Sequence, residues 1–443
     1  MSLYAGAESI VRKLNEAGFT TYFAGGSVRD QLLDRKSKDI DIATSATPEE
    51  VQSLFPRTTD LQGKVFGVIR VIENDLVYEV ATFRKDGAYQ DGRRPTEVEF
   101  SNPEEDANRR DFTINGLFYD PVEKKVIDFV GGQDDLKTKT LRAIGDPEAR
   151  FREDHLRLYR AIRFAAEFDF EIEELTWKKI CDLSHLGGDL APERVRDEMI
   201  KSLTGSNPLR AFDLLDRSGL FAPWIPEIAE MKGVEQPPQF HPEGDVFVHV
   251  RMMVGMLNNP DPVLALSVLL HDISKPETYS VDPDGRIRFT GHETKGARKS
   301  EDILRRLKCS NELIESVSAC VANHMAFKDV PDMRVSTLKR FMARPWIETE
   351  LELHRIDCTC SHGDLEIYDF LLEKIEEFSN QEIKPDPFVN GRDLISMGMK
   401  PGQEIGKVLT QLYDEQLEGK FLSRDIALQR ANSLVQATYG PAA

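Results

Sequence analysis

The sequence predicts an α+β protein: a head built on a mixed β-sheet, followed by all-helical regions. Three observations carry this reading. Over the first ~140 residues, short β-branched and aromatic runs alternate with Gly, Asp and Pro. From Arg150 onward the apolar residues recur at helical spacing. Two Pro/Gly-rich stretches, GVEQPPQFHPEG (233–244) and KPDPF (384–388), interrupt that helical texture and mark boundaries.

Taken in order, MSLYAGAESIVRKLNEAG reads as an amphipathic helix, with charges where a signal peptide would be apolar. Strands are expected at Tyr22–Phe23, Ile40–Ala43, Gly67–Ile72, Val77–Phe83 and Glu97–Phe100. Helices are expected from 150 to about 220, with Pro192 at a start and Gly219 at a stop, then from the first boundary to about Leu372, then in a tail. The expected division is a head at 1–145, a helical neck at 146–235, a histidine-bearing bundle at 236–372 and a tail at 373–443. With 40% hydrophobic and 30% charged residues the chain is globular, and no apolar run approaches the ~18–20 residues of a membrane span. Five scattered cysteines form no disulfide framework and suit a reducing cytoplasm. The net charge of −19 disfavours diffuse binding to nucleic acid and leaves room for a local basic track.

Chemistry-bearing residues begin at YFAGGSVRDQLLDRKSKDIDIATSATP (22–48). A strand entering Gly25-Gly26 and leaving as a helix brings backbone N–H groups close to a ligand, which suits a phosphate, and Arg29 adds a fixed positive charge. Plain turn geometry is the alternative. In KDIDI, residues two apart on a strand share a face, so Asp39 and Asp41 project together. Side-by-side carboxylates repel unless a cation such as Mg²⁺ lies between them. Glu79 is a candidate third carboxylate or a solvated strand residue. Arg109-Arg110 suit a triphosphate clamp or a salt-bridged turn after Glu104–Asp106. The polar stretch from Arg84 to Pro95 reads as a mobile loop between strands. In FREDHLRLYRAIR (151–163), expected as one helix, Asp154, Arg157 and Arg160 share a face, with Arg163 at its edge. The ordinary reading is a solvated helix with pairs such as Glu153–Arg157. The functional one is base recognition, the carboxylate accepting from the exocyclic amine of cytosine or adenine and the guanidinium donating to the adjacent ring nitrogen, which rejects uracil and guanine.

GGSVRD…KDIDIATSATP, EVATFRKDGAYQDGRRP, RRDFTIN, DFVGGQDDLKTKTLRAIGDP, RFREDHLRLYRAIRFA and LAPERVRDEM occur in order. Together they resemble the class II tRNA nucleotidyltransferases, the family of bacterial CCA-adding enzymes and poly(A) polymerases, densely over about residues 1–225; NGRDLISMGMKPG resembles the helical end of such enzymes. The resemblance implies a nucleotidyltransferase-fold head, with Asp39 and Asp41 holding Mg²⁺. It implies that Gly26, Arg29 and Arg110 bind the nucleoside triphosphate. Asp154 and Arg157 would read the base, supported by Arg160 and Arg163. It implies tRNA, CTP and ATP as partners and CCA addition as the activity. The DGAYQDGRRP loop is more similar to CCA-adding members, while addition of the terminal A alone, or of poly(A), stays open. The chain departs from the family at Asn115-Gly116, where alanine is usual after the asparagine.

Seven of nine histidines fall between His241 and His362. The apolar run VLALSVLL leads into His271-Asp272, and imidazoles with carboxylates suit a divalent transition metal. The set is similar to an HD-domain site: His249, His271, Asp272 and Asp357, with His292 and His324 for a second ion. Such a site implies phosphoester hydrolysis as a side activity, with Lys275 near the phosphate; a purely structural bundle is the alternative. His241, His354 and His362 carry no assigned role, and Cys358 and Cys360 suit helix packing. Two readings from other classes remain: an HD phosphohydrolase with a nucleotide-binding head, and a non-catalytic RNA-binding module.

Overall fold

The computed structural model describes residues 2–59, 67–87, 98–378 and 384–439, which form two compact units. The first contains Met1–Glu230 with Leu257–Pro262 and Ile303–Cys309. Its head comprises α1 (Leu3–Glu16), β1 (Thr21–Ala24), α2 (Gly26–Leu32), β2 (Asp41–Thr44), α3 (Pro48–Leu54), β3 (Thr58–Thr59), β4 (Val68–Glu73), β5 (Leu76–Thr82), β6 (Arg84–Asp86) and β7 (Val98–Phe100). It continues with α4 (Pro103–Asn108), β8 (Leu117–Asp120), β9 (Lys125–Asp128), α5 (Gly132–Lys137) and β10 (Thr140–Leu141). The neck follows as α6 (Pro147–Glu153), α7 (Leu156–Phe168), β11 (Glu171–Ile172), α8 (Glu174–Asp182), α9 (Pro192–Leu203), α10 (Pro208–Ser218) and α11 (Glu227–Glu230).

Seven strands form one mixed sheet in the order β3-β4-β5-β2-β1-β8-β9, with β2 and β5 parallel and the other neighbours antiparallel. Four of the five β-branched and aromatic runs read from the sequence lie in these strands because alternate residues pack into the core: Phe23, Ile42, Val80 and Phe118 are at most 2% exposed. The run ending at Phe100 falls instead in β7, which pairs with β6 in a separate two-stranded sheet. The β8–β9 hairpin was not among the expected strands. Its signal is present in LFYD and KVID, two short β-prone runs joined by a turn. α1 buries Ile10, Val11 and Leu14, as its amphipathic pattern requires. Pro192 opens α9 and Gly219, at φ +80°, ends α10. At Gly116 an added Cβ would lie 2.7 Å from Val130 Cγ2, so the packing there leaves no room for the alanine usual in the family.

The expected single helix over 151–163 is two. α6 ends at Glu153, Asp154 takes an extended backbone (φ −138°) and α7 starts at Leu156. The periodic spacing continues across the break, which hides it from a pattern search.

The second unit contains Met231–Met256, Val263–Asp302 and Ser310–Ala443. Its elements are α12 (Val246–Gly255), α13 (Pro262–Leu270), α14 (Lys275–Thr278), β12 (Ser280–Val281), β13 (Ile287–Arg288), α15 (His292–Arg306), α16 (Asn311–Asn323), α17 (Val335–Met342), α18 (Ile347–Cys360) and α19 (Glu366–Phe378). The tail adds α20 (Gly391–Ser396), α21 (Gln403–Leu417) and α22 (Arg424–Tyr439) around its own apolar cluster of Leu394, Leu412, Phe421 and Ala427. α13 is apolar on every side and buried from Ala265 to Leu270. Among the described residues no helix is long and apolar enough to cross a membrane.

Candidate active site and metal centre

In the head, β1 runs antiparallel to β2 with Ala24 opposite Asp41. This register sets the Gly25-Gly26 turn beside the paired carboxylates at one end of the sheet. Gly25 has φ +66°, and a Cβ on it would approach Arg110 Nη1 to 2.8 Å, so both backbone and space call for glycine. Around this turn opens a cavity of ≈ 580 Å³. It is lined by Gly26, Arg29, Asp39, Asp41, Arg110, Asp154, Arg157, Arg160 and Arg163, every residue expected of a nucleotide site. Arg109, Asp111, Asn115 and Phe164 complete the wall.

Asp39 lies just ahead of β2 and Asp41 begins it. Asp41 is open to solvent, yet the surrounding walls, followed by the charges of Asp39 and Glu79, raise its pKa to about 6; Arg110 opposes them. A carboxylate so disfavoured as an anion fits a cation ligand. Glu79 neighbours Asp41 across the β2–β5 pair, but it is exposed and bound to Arg70 at 2.8 Å. It lends charge from outside the cavity lining.

The arginines are held by partners of which Asp106 and Glu153 follow the salt-bridged turn and the Glu153–Arg157 pair expected from the sequence, while Asp111 and Glu198 were not singled out. Buried Asp106 binds Arg109 at 2.6 Å and Arg110 at 2.9 Å, so the salt-bridged turn and the cationic wall are the same structure. Asp111 accepts Nε and Nη2 of Arg160 at 2.8 and 2.6 Å through one oxygen, and the Asn115 amide at 3.0 Å through the other. Burial works against the Asp111 carboxylate, but Arg160 leads the interactions that hold its pKa down at about 2. Asn115 in turn accepts Arg29 Nη1 at 2.6 Å. The signal for these roles lay within RRDFTIN, where every polar residue faces inward. Arg157 is buried; Nη1 reaches Glu153 Oε2 at 2.8 Å, and Nη2 reaches the Arg109 carbonyl at 2.9 Å. Asp154, placed by the helix break, accepts Arg194 at 3.2 Å. Arg163 binds Glu198 at 2.7 Å and lies over the Phe164 ring. Of the stretch Arg84–Pro95 expected as a mobile loop, Arg84–Asp86 instead forms strand β6, paired with β7, and residues 88–95 lie outside the described residues.

The second unit gathers the histidines. Among the described residues, three groups have ligand atoms within 4.8 Å of one another: His249, His271 and Asp272; Asp272, His292 and His324; and His241, Glu243 and His249. Asp357 Oδ1 lies 3.2 Å from His249 Nε2. The predicted ligands are therefore brought together, joined by His241 and Glu243 from the stretch read as a boundary. His292 and His324 each direct Nδ1 at a backbone carbonyl, Phe289 at 2.8 Å and Val321 at 2.7 Å, and so carry the proton there. Their Nε2 atoms then face each other at 3.1 Å. Burial and then the neighbouring histidines push the pKa of His324 down to about 3, and burial lowers that of His292. Two neutral imidazoles meeting lone pair to lone pair fit a cation between them. Lys275 Nζ reaches Asp272 Oδ2 at 2.7 Å and Gln236 Oε1 at 2.6 Å. Burial pushes the thiols of Cys358 and Cys360 up to about 12 and 11, which suits packing rather than ligation. His354 stacks on Phe327 at 4.3 Å, within the packing of the bundle.

Residues 21–142 match the Poly A polymerase head domain, and residues 169–232 match the probable RNA and SrmB-binding site of polymerase A. The chain is 31% identical over 424 residues to the CCA-adding enzyme of Enterococcus faecalis, covering 95% of this chain and 94% of that one. Its structure is similar to the crystal structure of the Bacillus stearothermophilus CCA-adding enzyme in complex with CTP. The TM-score is 0.74 and the identity 26%, over 99% of this chain and 100% of that one. The CCA-adding enzyme of Ligilactobacillus salivarius is 34% identical over 438 residues, 96% of both chains. Likeness sustained over nearly the whole of both chains goes beyond a shared head: this chain belongs to the CCA-adding enzymes, a family of tRNA nucleotidyltransferases.

Proposed function

We propose that this chain adds C, C and A in turn to the 3′ end of tRNA, using CTP and ATP without a nucleic-acid template. The observation that carries the reading is the single cavity in which Asp39 and Asp41 face a wall of arginines. Arg29 and Arg110, with the Gly25-Gly26 turn, hold the triphosphate, and their charge favours release of pyrophosphate. Asp39 and Asp41 fit Mg²⁺, which when bound supplies charge to lower the pKa of the attacking 3′-hydroxyl and to neutralise the leaving phosphates. Asp154 accepts the exocyclic amine of cytosine or adenine, and Arg157 donates to the adjacent ring nitrogen. Two structural features support these roles: Asp154 stands out of the helix toward the cavity, and the Glu153 and Arg109 contacts fix the Arg157 guanidinium. The relative solved in complex with CTP supports a nucleoside triphosphate as the ligand. A division into head (1–145), neck (146–235), bundle (236–372) and tail (373–443) matches these tasks.

We further propose that the bundle is of HD type and hydrolyses phosphoesters. The facing Nε2 atoms of His292 and His324 carry this second reading. His249, His271, Asp272 and Asp357 would hold one divalent transition metal, and Asp272, His292 and His324 a second. Bound there, such ions activate water, and Lys275 adds positive charge for the phosphate.

The test is incubation of tRNA lacking CCA, and of tRNA ending in CC, with CTP, ATP and Mg²⁺. Extension of both to CCA is expected. Extension of the second alone identifies an A-adding enzyme, and long A tails on unrelated RNA identify a poly(A) polymerase. Asp39→Ala must abolish addition; if only Asp272→Ala does so, the head is a binding module.

A further inference from the structure

Three imidazoles of the histidine centre share one device. His271, His292 and His324 each direct Nδ1 at the carbonyl three residues upstream, on Val268, Phe289 and Val321. A neutral ring tied in this way presents Nε2 as a lone pair. His249 is the exception. Its Nδ1 lies 2.7 Å from Oε1 of Glu243, off the line of a regular hydrogen bond, and its Nε2 lies 3.2 Å from Asp357 Oδ1. The Glu243 side chain is only 4% exposed, Oε1 is also 2.9 Å from His241 Nδ1, and Oε2 is buried without a hydrogen-bond partner. Its backbone is pinned by bonds from Gly244 N to His241 O and from Gln236 N to Gly244 O, both 3.0 Å. A buried carboxylate on a fixed loop, beside the one imidazole without an upstream carbonyl, stands where an orienting group is needed.

We propose that Glu243 is a positioning residue of this centre. It keeps the proton of His249 on Nδ1 and turns Nε2 toward the cation shared with His271 and Asp272. The inference rests on the metal-centre reading above and adds to it a residue from a segment whose composition marks a boundary. An outer carboxylate of this kind accounts for about 10–100-fold in metal affinity.

The test is titration of the full-length protein with cobalt(II), recording ions bound per chain and the visible absorption of the bound metal. Glu243→Gln and Glu243→Leu are expected to bind as many ions as the parent. Affinity falls by about 10–100-fold in Glu243→Leu. It falls less in Glu243→Gln, whose amide oxygen still accepts Nδ1–H, and the absorption bands shift in both. Glu243→Gln is nearly isosteric, and an unfolding curve in chelator shows that it folds, so the comparison stands if the leucine variant does not. Loss of one ion per chain with the remaining affinity unchanged overturns the proposal, because Glu243 is then itself a ligand with His241. Unchanged affinity and spectrum overturn it as well. Asp272→Ala separates the two levels: loss there of the visible absorption of histidine-bound cobalt, with no effect of Glu243→Leu, sinks this inference alone. Undiminished binding in Asp272→Ala sinks the metal centre and this role together.

Discussion

A pKa of about 6 at Asp41 predicts that nucleotide addition depends on protons and Mg²⁺ together. The perturbation is a shift from pH 7.5 to 5 at sub-saturating Mg²⁺. A raised carboxyl pKa disfavours the anion, so the loss falls on the acid side. With a midpoint of about 6, Asp41 is roughly 97% ionised at pH 7.5 and roughly 9% at pH 5, about a tenfold fall in the cation-binding form. With an ordinary aspartate pKa of about 3.9 it would stay more than about 90% ionised throughout. Water reaching the exposed side chain screens part of the shift, so about tenfold is an upper bound. The assay is single-nucleotide incorporation into tRNA lacking CCA, with Mg²⁺ titrated at each pH. Raising Mg²⁺ should restore the acid-side rate, because the cation competes with the proton for one carboxylate. Glu79→Gln should move the midpoint down, since Glu79 is one of the two charges raising it. That control separates Asp41 from titration of the triphosphate, which the substitution leaves alone. A rate that is flat from pH 7.5 to 5 at low Mg²⁺, or an acid-side loss that added Mg²⁺ leaves in place, would refute the reasoning.

Asp154→Ala should relax base choice, raising UTP and GTP incorporation relative to CTP and ATP by about 10–100-fold in single-nucleotide assays with all four triphosphates. Asp111→Ala leaves Arg160 without its carboxylate; the depression of the Asp111 pKa to about 2 corresponds to roughly 2–3 kcal/mol at neutral pH. Urea unfolding should show that deficit at pH 7, and parent and variant should converge as the pH falls from about 4 towards 2. Asp272→Ala should lose transition-metal binding, measured by metal analysis after dialysis, while retaining CCA addition.

The carboxylate pair and the glycine turn were legible because both are local. Period-two alternation put Asp39 and Asp41 on one side; Asp39 in fact lies just ahead of β2, yet both line the same cavity, and Gly25 adopts a backbone that other residues rarely take. The ordered arginine motifs were legible for the same reason. Asp106 was legible as part of the salt-bridged turn, three and four residues from its arginines. Asp111 was not read as a support, because Arg160 lies 49 residues away and is brought to it by packing. The break at Asp154 was hidden, since apolar periodicity runs through it while the backbone does not. Composition read 233–244 as a boundary and gave no sign of its contribution to the histidine centre: Pro and Gly mark a turn whether it is solvated or folded over a cluster of buried imidazoles.

The order of residues along the chain thus determined which groups could carry chemistry and which of them share a strand face or a helix turn. Tertiary structure alone decided that β1 meets β2 with Ala24 opposite Asp41, that arginines from α2, the segment after α4, and α7 converge on one cavity, and that Glu243 faces His249. Contacts between residues far apart in sequence follow from how whole elements bury their apolar faces, and that outcome is a property of the packed chain rather than of any window within it.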